Sequence, residues 1–524
     1  MITVSKVFQS VPPLFSHLSS VITGDIDCSN LALKSHSVDG STFSVLPQAV
    51  LYPKTTSDVK HAIAFAREYH IPLTVAGGMS AGSGGALGEG VIIDMTRYFN
   101  HIRHMNMLEQ TVTVDAGVAI DDLIDRLDSW NMEIPVLQKD HGRGTIGGLV
   151  ATKSASASTF HAGTIREWIE GMTVVVDSGE EHHIRDGITP SGRLLGIYQS
   201  VFPLITEHSP ILRASRREQS DDATGYCLWN TSIGPRQLLD QLVGSEGTLA
   251  IITSITFRVV QKKRHTMNLV VPVSGMSLLA TYTDIAKHHG AERLFMFDAA
   301  YRKLLDTFHP NFLDENLAHT PFSLIVTFRH DDEHMLENCA KTFVRALPEK
   351  NAVMMPLVEE KTAQLLSSSF LHSLFARYTK GSHMVSTAGE GIIVPLHQYA
   401  SCLSSIDETL GITGQLYTLT GFIGSGHVAA TTSFDSQSLS YEKNLEEYRE
   451  KLFSIASEYR AGISAVGGDG LERTNGLPFI FNEATRSVFK TNKEAWDPYS
   501  IFNPSKKISI SKDYLREHAT RFLT

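Results

Sequence analysis

The sequence predicts an α+β protein built from two units, and three observations carry that prediction. At 524 residues the chain is too long for one hydrophobic core and calls for two or more domains. From about residue 48 to 260, short apolar runs alternate with helical spacing and with glycine-rich turns. After the basic KKR at 262–264 a strand–helix–strand rhythm sets in and repeats, the mark of antiparallel pairing with helices on one face.

The elements follow in order. TTSDVKHAIAFAREYH places Val59, Ala62, Ile63 and Ala66 on one helical face, with Thr55 and Asp58 spaced as a capping box. IPLTV (71–75) and GVIIDM (90–95) are strands around a glycine-rich loop, and TVTVDAG (111–117) alternates as a half-buried strand does. IDDLIDRL has helical spacing. EGMTVVVDSGEEHHI reads as a hairpin turning at Asp177, Ser178 and Gly179, and TLAIITSITFRVV (248–260) as a long strand.

In the second unit, RHTMNLVVPV, SLLATYTDIAKHHG and ERLFMFD make one strand–helix–strand set. FSLIVTF, HMLENCAKTFVRAL and AVMMPL make another, and GIIVPL, a helix near 397–410 and QLYTLT a third. That predicts an antiparallel domain of ferredoxin-like character. SLSYEKNLEEYREKLFSIASEYR (438–460) is an amphipathic helix with Leu445, Tyr448, Leu452 and Ile455 on its apolar face.

Composition narrows the function classes. A net charge of −10 with no long basic run argues against nucleic acid as a partner. Cys28, Cys227, Cys339 and Cys402 are scattered without CxxC spacing, so neither a zinc ribbon nor a disulfide framework is expected, and a reducing compartment fits. The start MITVSKVFQSVPPLFSHL lacks the pattern of a signal peptide, and no run of about 18 apolar residues predicts a membrane span. The expectation is a cytoplasmic protein, with peripheral attachment to a membrane left open.

Four glycine-rich or terminal segments carry chemistry. PLTVAGGMSAGSGGALGEG (72–90) sets glycines and serines between two strands, where backbone N–H groups can converge on a diphosphate without Cβ atoms in the way. It is not GxxxxGK[ST], and no helix directly follows the glycines, so neither a nucleoside triphosphatase nor a Rossmann dinucleotide site fits. TIGGLVATKSASAS (145–158) offers small residues against which a flat ring can lie. LVGSEGTLAIIT (242–253) and DPYSIFNPSKKI (497–508) complete the set. Each alone also reads as a turn between strands.

Together these segments resemble the FAD-linked oxidases of the vanillyl-alcohol oxidase type, and most the D-lactate, glycolate and D-2-hydroxyglutarate dehydrogenase branch. LPQAVLYPKTTSDVKHAIAFA is similar to the family's opening segment, PLTVAGGMSAGSGGA to its pyrophosphate loop and TIGGLVAT to its flavin-contacting stretch. TGYCLWN (224–230), GSEGTL (244–249) and DPYSIFNPSKKI match further family signatures, and the resemblance runs from about residue 36 to 508. It implies a PCMH-type FAD-binding domain of two α/β subdomains over residues 1–262, a substrate-binding cap over 263–480, and a segment, 481–524, returning to the FAD domain.

The resemblance also implies site residues. The FAD pyrophosphate is expected on Gly77, Gly78, Met79 and Ser80, with Ala76 standing where relatives commonly have arginine. Thr145, Gly147, Gly148, Ala151 and Thr152 are expected beside the ribityl chain and isoalloxazine, with Glu246, Ile251 and Asn503 nearby. Covalent members carry a histidine in the first loop; Met79 and its neighbours here imply noncovalent FAD. Lys153 replaces a family asparagine and reads either as a cation near the reduced flavin or as a solvated lysine at the cofactor rim.

The loop GFIGSGHVAATTSFD (421–435) corresponds to a family segment whose two histidines, with a downstream glutamate, bind a divalent metal. Here Phe422 and Ala429 replace the histidines, Ser425 an aspartate, and SAVGGDGLERT (464–474) puts Gly468 in place of the glutamate and Asp469 in place of its neighbouring histidine. No metal is therefore expected. His427 is the expected general base, or else a histidine hydrogen-bonded within a structural loop. Arg377 and Lys380 in LFARYTKGSH are expected to hold an anionic group, or else to lie on a surface helix; Tyr417 and Gln415 either line the pocket or pack elsewhere.

The activity implied is hydride transfer from a hydroxylated, anionic small molecule such as a 2-hydroxy acid to the flavin. Same-fold alternatives are an alcohol, a sugar lactone or an alkylglycerone-phosphate-type substrate, or a role as an electron-transfer subunit. Oxygen, a quinone, a cytochrome or an iron–sulfur subunit remain open as electron acceptor, and the sequence sets no oligomeric state.

Overall fold

The computed structural model describes residues 12–520 apart from 140–141, 230–235, 314–319, 350–354, 380 and 413. Three larger sheets organise it. The first contains β1 (Asp25–Asp27), β2 (Ala49–Tyr52), β3 (Leu73–Ala76) and β4 (Val91–Asp94) in the order β1-β2-β4-β3. β4 runs parallel to both β2 and β3, and helix Thr56–Tyr69 makes the crossover from β2 to β3. That helix starts as its sequence dictates. The Thr55 side chain accepts from the amide of Asp58, the Asp58 carboxylate accepts from that of Thr55, and Val59, Ala62, Ile63 and Ala66 are buried.

The second sheet is antiparallel, with β5 (Ile102–Asn106), β6 (Thr111–Asp115), β8 (Ile169–Val175), β9 (Glu181–Arg185) and β10 (Ile251–Arg258) in the order β5-β6-β10-β8-β9. β7 (Met132–Glu133) pairs separately with β11 (Val260–Gln261). The β8–β9 hairpin turns at Gly179, whose φ of +83° is the left-handed conformation the turn requires.

All seven strands of the third sheet come from residues 265–435. They are β12 (His265–Val273), β13 (Arg293–Asp298), β14 (Phe322–His330), β15 (Met355–Leu357), β16 (His383–Ile393), β17 (Tyr417–Gly421) and β18 (His427–Asp435), in the order β15-β12-β14-β13-β17-β18-β16. Every pairing in it is antiparallel. The stretch GFIGSGHVAATTSFD is mostly strand: its corner is confined to a single 3-10 turn, Ile423–Ser425, and Gly426, and everything from His427 on is β18.

The C-terminal segment returns to the first sheet. Phe502 bridges Leu73 in parallel, and the amide of Asn503 donates to the Leu73 carbonyl at 2.8 Å. Residues 462–473, which sequence reading assigns to the cap, stitch the two halves. Ala465 accepts from the amide of Ala155, while Gly462 pairs with Ile393 of the third sheet.

Candidate flavin and substrate site

One continuous cavity runs from the loop after β3 to the inner face of the third sheet. At its first end lie Ala76, Gly77, Gly78, Met79, Ser80 and Ala81. The glycines are needed for packing: a Cβ on Gly78 would stand 1.5 Å from the Arg143 carbonyl oxygen, and one on Gly77 2.1 Å from Oγ1 of Thr145. The amides of Gly78, Met79, Ser80 and Ala81 donate to no protein atom among the described residues. A row of unsatisfied N–H groups on a cavity wall is the donor set a diphosphate requires.

Thr145, Gly147, Gly148, Ala151 and Thr152 line the same cavity. Thr145 caps helix Ile146–Thr152 by accepting the Gly148 amide at 3.2 Å, and Gly147 donates to the Ala116 carbonyl at 2.7 Å. Glu246 also lines it, and its carboxylate is fully engaged. Oε1 accepts the amide of Asp469 at 2.6 Å, Oε2 that of Gly470 at 2.8 Å, and Lys507 Nζ lies 3.1 Å from Oε1.

Three residues expected at the cofactor do not line the cavity. Lys153 turns away: its buried Nζ donates to the carbonyls of Ser220 at 2.6 Å and Asp222 at 3.3 Å, so it is neither a flavin-side cation nor a solvated lysine. Ile251 opens β10 facing the opposite side, and its neighbours Ala250 and Ile252 line the cavity instead, as strand alternation demands. Asn503 acts one layer back. Its Nδ2 donates to the carbonyls of Gly85 and Glu246 at 2.9 and 2.8 Å, bracing two residues that do line it.

At the cap end, His427 lines the cavity, yet both its ring nitrogens are spent on backbone. Nε2 donates to the Glu390 carbonyl at 2.8 Å and Nδ1 accepts the Phe422 amide at 3.2 Å. Burial pushes its pKa down to about 4, so the ring is neutral. A histidine held this way secures the corner and has no nitrogen left for a substrate hydroxyl. Arg377 is exposed on the outer face of helix Ser368–Thr379, stacked on Phe308 at 4.4 Å, and does not reach the cavity. Lys380 lies outside the described residues. Tyr417 donates to Asp407 at 2.7 Å and stays off the cavity, as does Gln415; Thr420 and Gly421, further along β17, line it instead.

Sequence reading missed the cluster that does face the cavity there. Glu390, buried in β16, receives His372 Nε2 and the Thr431 hydroxyl on its Oε1, each at 2.7 Å. Burial alone would raise its pKa; the charge and hydrogen bond of His372, with Thr431 and Arg473, outweigh that and hold it below the usual carboxylate range. Gly389 and Gly391 flank it where a Cβ would meet backbone oxygens of Ala430 at 2.6 Å and Ile463 at 2.3 Å, and the β16–β18 register shifts on both sides of Gly389. A glutamate between two glycines inside an apolar strand was the available signal.

The positions that correspond to metal ligands are otherwise occupied. Phe422 packs on Phe295, with ring centroids 5.9 Å apart, and Gly468 lies where a Cβ would meet Glu246 Oε1 at 2.5 Å; beside it, Asp469 accepts from Lys507 Nζ at 2.9 Å and from the Gly225 amide at 2.8 Å. Among the described residues no group of three or more His, Cys, Asp or Glu side chains is arranged to hold a metal ion.

A strand–loop–strand anion cradle joined through one cavity to an antiparallel cap is the arrangement of a protein that holds a diphosphate-bearing cofactor against a substrate pocket. A model of the FAD binding domain matches residues 47–185, and a model of the C-terminal domain of FAD linked oxidases matches 267–507. The chain belongs to the FAD-linked oxidases, and its cofactor is FAD. It is 23% identical to a D-lactate dehydrogenase of Anaerostipes hadrus over 88% of this chain and 89% of that protein. It is 22% identical to the glycolate oxidase subunit GlcD of Bacillus subtilis over 92% and 93%. A D-2-hydroxyglutarate dehydrogenase of Pantoea ananatis is 23% identical, and the chain spans only 50% of its length. Among solved structures, 4-ethylphenol oxidase from Gulosibacter chungangensis shares the fold, with a TM-score of 0.70 at 15% identity over 95% of this chain and 97% of that one. No helix among the described residues is long and apolar enough to cross a membrane.

Proposed function

We propose that this protein oxidises the hydroxyl-bearing carbon of a small molecule, with FAD held noncovalently over residues 76–81 and 145–152 as the electron acceptor. Bound there, FAD supplies the acceptor for a hydride. The protein's part is to orient the substrate under the cap, exclude water and take the hydroxyl proton, leaving a carbonyl product. The names of the relatives, D-lactate dehydrogenase, D-2-hydroxyglutarate dehydrogenase and glycolate oxidase subunit, support the class of reaction.

The carrying observation is the single cavity that joins unsatisfied loop amides at one end to the Glu390–His372–Thr431 cluster at the other. The corresponding division of the chain is a FAD domain of residues 1–262 completed by 481–524, with a cap of 263–480 between. The test is anaerobic mixing of the FAD-loaded protein with D-lactate, glycolate, D-2-hydroxyglutarate and benzyl alcohol. Bleaching of the flavin absorption by at least one is expected; an unchanged spectrum with every compound would overturn the reading.

A further inference from the structure

Resting on that reading, we propose that the substrate this cavity selects is an uncharged alcohol with an apolar, ring-sized body, its hydroxyl received by Oε2 of Glu390. Three features of the cap end argue for it.

Much of the wall is apolar and aromatic, beside the polar His372, Glu390, Thr420 and Thr431. Phe295, Tyr301, Leu365, Leu366, Leu371 and Phe422 line it, and two of them sit ring against ring. Such a surface gains by covering a hydrocarbon body and gives a carboxylate nothing in exchange for its lost water.

The cations near this end are committed. Arg473 is buried in the wall, but its guanidinium donates to four backbone carbonyls, those of Thr387, Ala388, Val466 and Gly468, at 2.6–3.3 Å. His372, when charged, is already paired with Glu390. Arg377 is outside, on Phe308. Among the described residues, no Lys or Arg other than Arg473 lines the cap end of the cavity.

Glu390 offers an acceptor there. His372 and Thr431 both donate to Oε1 of Glu390, while Oε2 takes no hydrogen bond among the described residues, and the residue lines the cavity. Two donors on one oxygen fix the carboxylate plane and leave the other oxygen free to accept from a substrate. A neutral hydroxyl can donate to it; a substrate carboxylate would meet a fixed like charge in apolar surroundings.

Benzyl alcohol and benzoate share a ring and differ in the group presented, so they isolate the charge. Perturbation of the flavin spectrum of the FAD-loaded protein measures both without requiring turnover, with benzylamine as a third probe. Benzyl alcohol is expected to bind at least roughly tenfold more tightly than benzoate, and Glu390→Gln to shrink that ratio to within about threefold. Benzoate binding as tightly as the alcohol, benzylamine binding more tightly than it, no binding by any of the three, or an unchanged ratio in a folded Glu390→Gln protein would each overturn the proposal. The wild-type comparison stands even if the variant fails to fold. Tight binding of benzyl alcohol with no substrate bleaching the flavin supports this selectivity while overturning the oxidation reading. Bleaching by D-lactate with weak benzyl alcohol binding keeps that reading and overturns this proposal.

Discussion

The backbone amide of Phe422 donates to Nδ1 of His427 at 3.2 Å, and their rings lie 5.2 Å apart. With Nε2 on the Glu390 carbonyl, that contact makes His427, the first residue of β18, the fastening between β16 and the turn that follows β17, at the corner that faces the cavity.

The fastening has a pH signature. The folded protein holds His427 neutral down to about pH 4, whereas the unfolded chain protonates it near the ordinary value of 6.5. The unfolded state therefore binds the extra proton between those limits, so this contribution to stability is present above pH 6.5 and is lost as pH falls toward 4. The loss amounts to roughly 3 kcal/mol at most. Urea unfolding at pH 7 and pH 4.5 should show this share in the wild type and not in His427→Gln.

Removing the Lys507 charge should do more damage. Its Nζ lies between Asp469 and Glu246, all three side chains buried, and it also donates to the carbonyls of Ala223 and Gly225. Lys507→Met leaves two buried carboxylates unpaired and should cost roughly 3–5 kcal/mol of stability, read by denaturant unfolding.

Gly78→Ala tests the cradle. Its Cβ would meet the Arg143 carbonyl at 1.5 Å, backbone that can yield only by moving the loop. FAD affinity, measured by titration of the apoprotein with FAD, should fall by at least roughly tenfold.

Arg377→Ala should leave benzyl alcohol binding within about twofold of the wild type, because an exposed side chain off the cavity contributes little to what binds inside it. A loss beyond tenfold would return Arg377 to the substrate.

What was legible in the sequence was local. Thr55 and Asp58 announce a helix start, the glycines of 77–78 announce close approach, and both needs are met within a few residues or by backbone alone. The substrate end was less legible because it depends on which way a side chain faces. On helix Ser368–Thr379 the core takes Leu371, Leu374 and Phe375, which rotates Arg377 outward and leaves His372 beside the cavity. In β16 irregular register at Gly389 presents Glu390, a feature no two-residue alternation encodes. Lys153 follows no helical spacing, because its left-handed backbone, φ +50°, ends the helix and its side chain reaches Ser220.

The brace supplied by Asn503 also joins segments that lie far apart in the sequence. Its Oδ1 accepts from Thr74, a residue 429 positions earlier, and Lys506 reaches the Leu87 carbonyl across a similar span. Gly85 and Glu246 are likewise held by a residue 418 and 257 positions further along the sequence. The shape of the diphosphate loop is thereby a property of the folded whole, and cutting the chain before residue 503 would remove the brace while leaving the loop's own sequence intact.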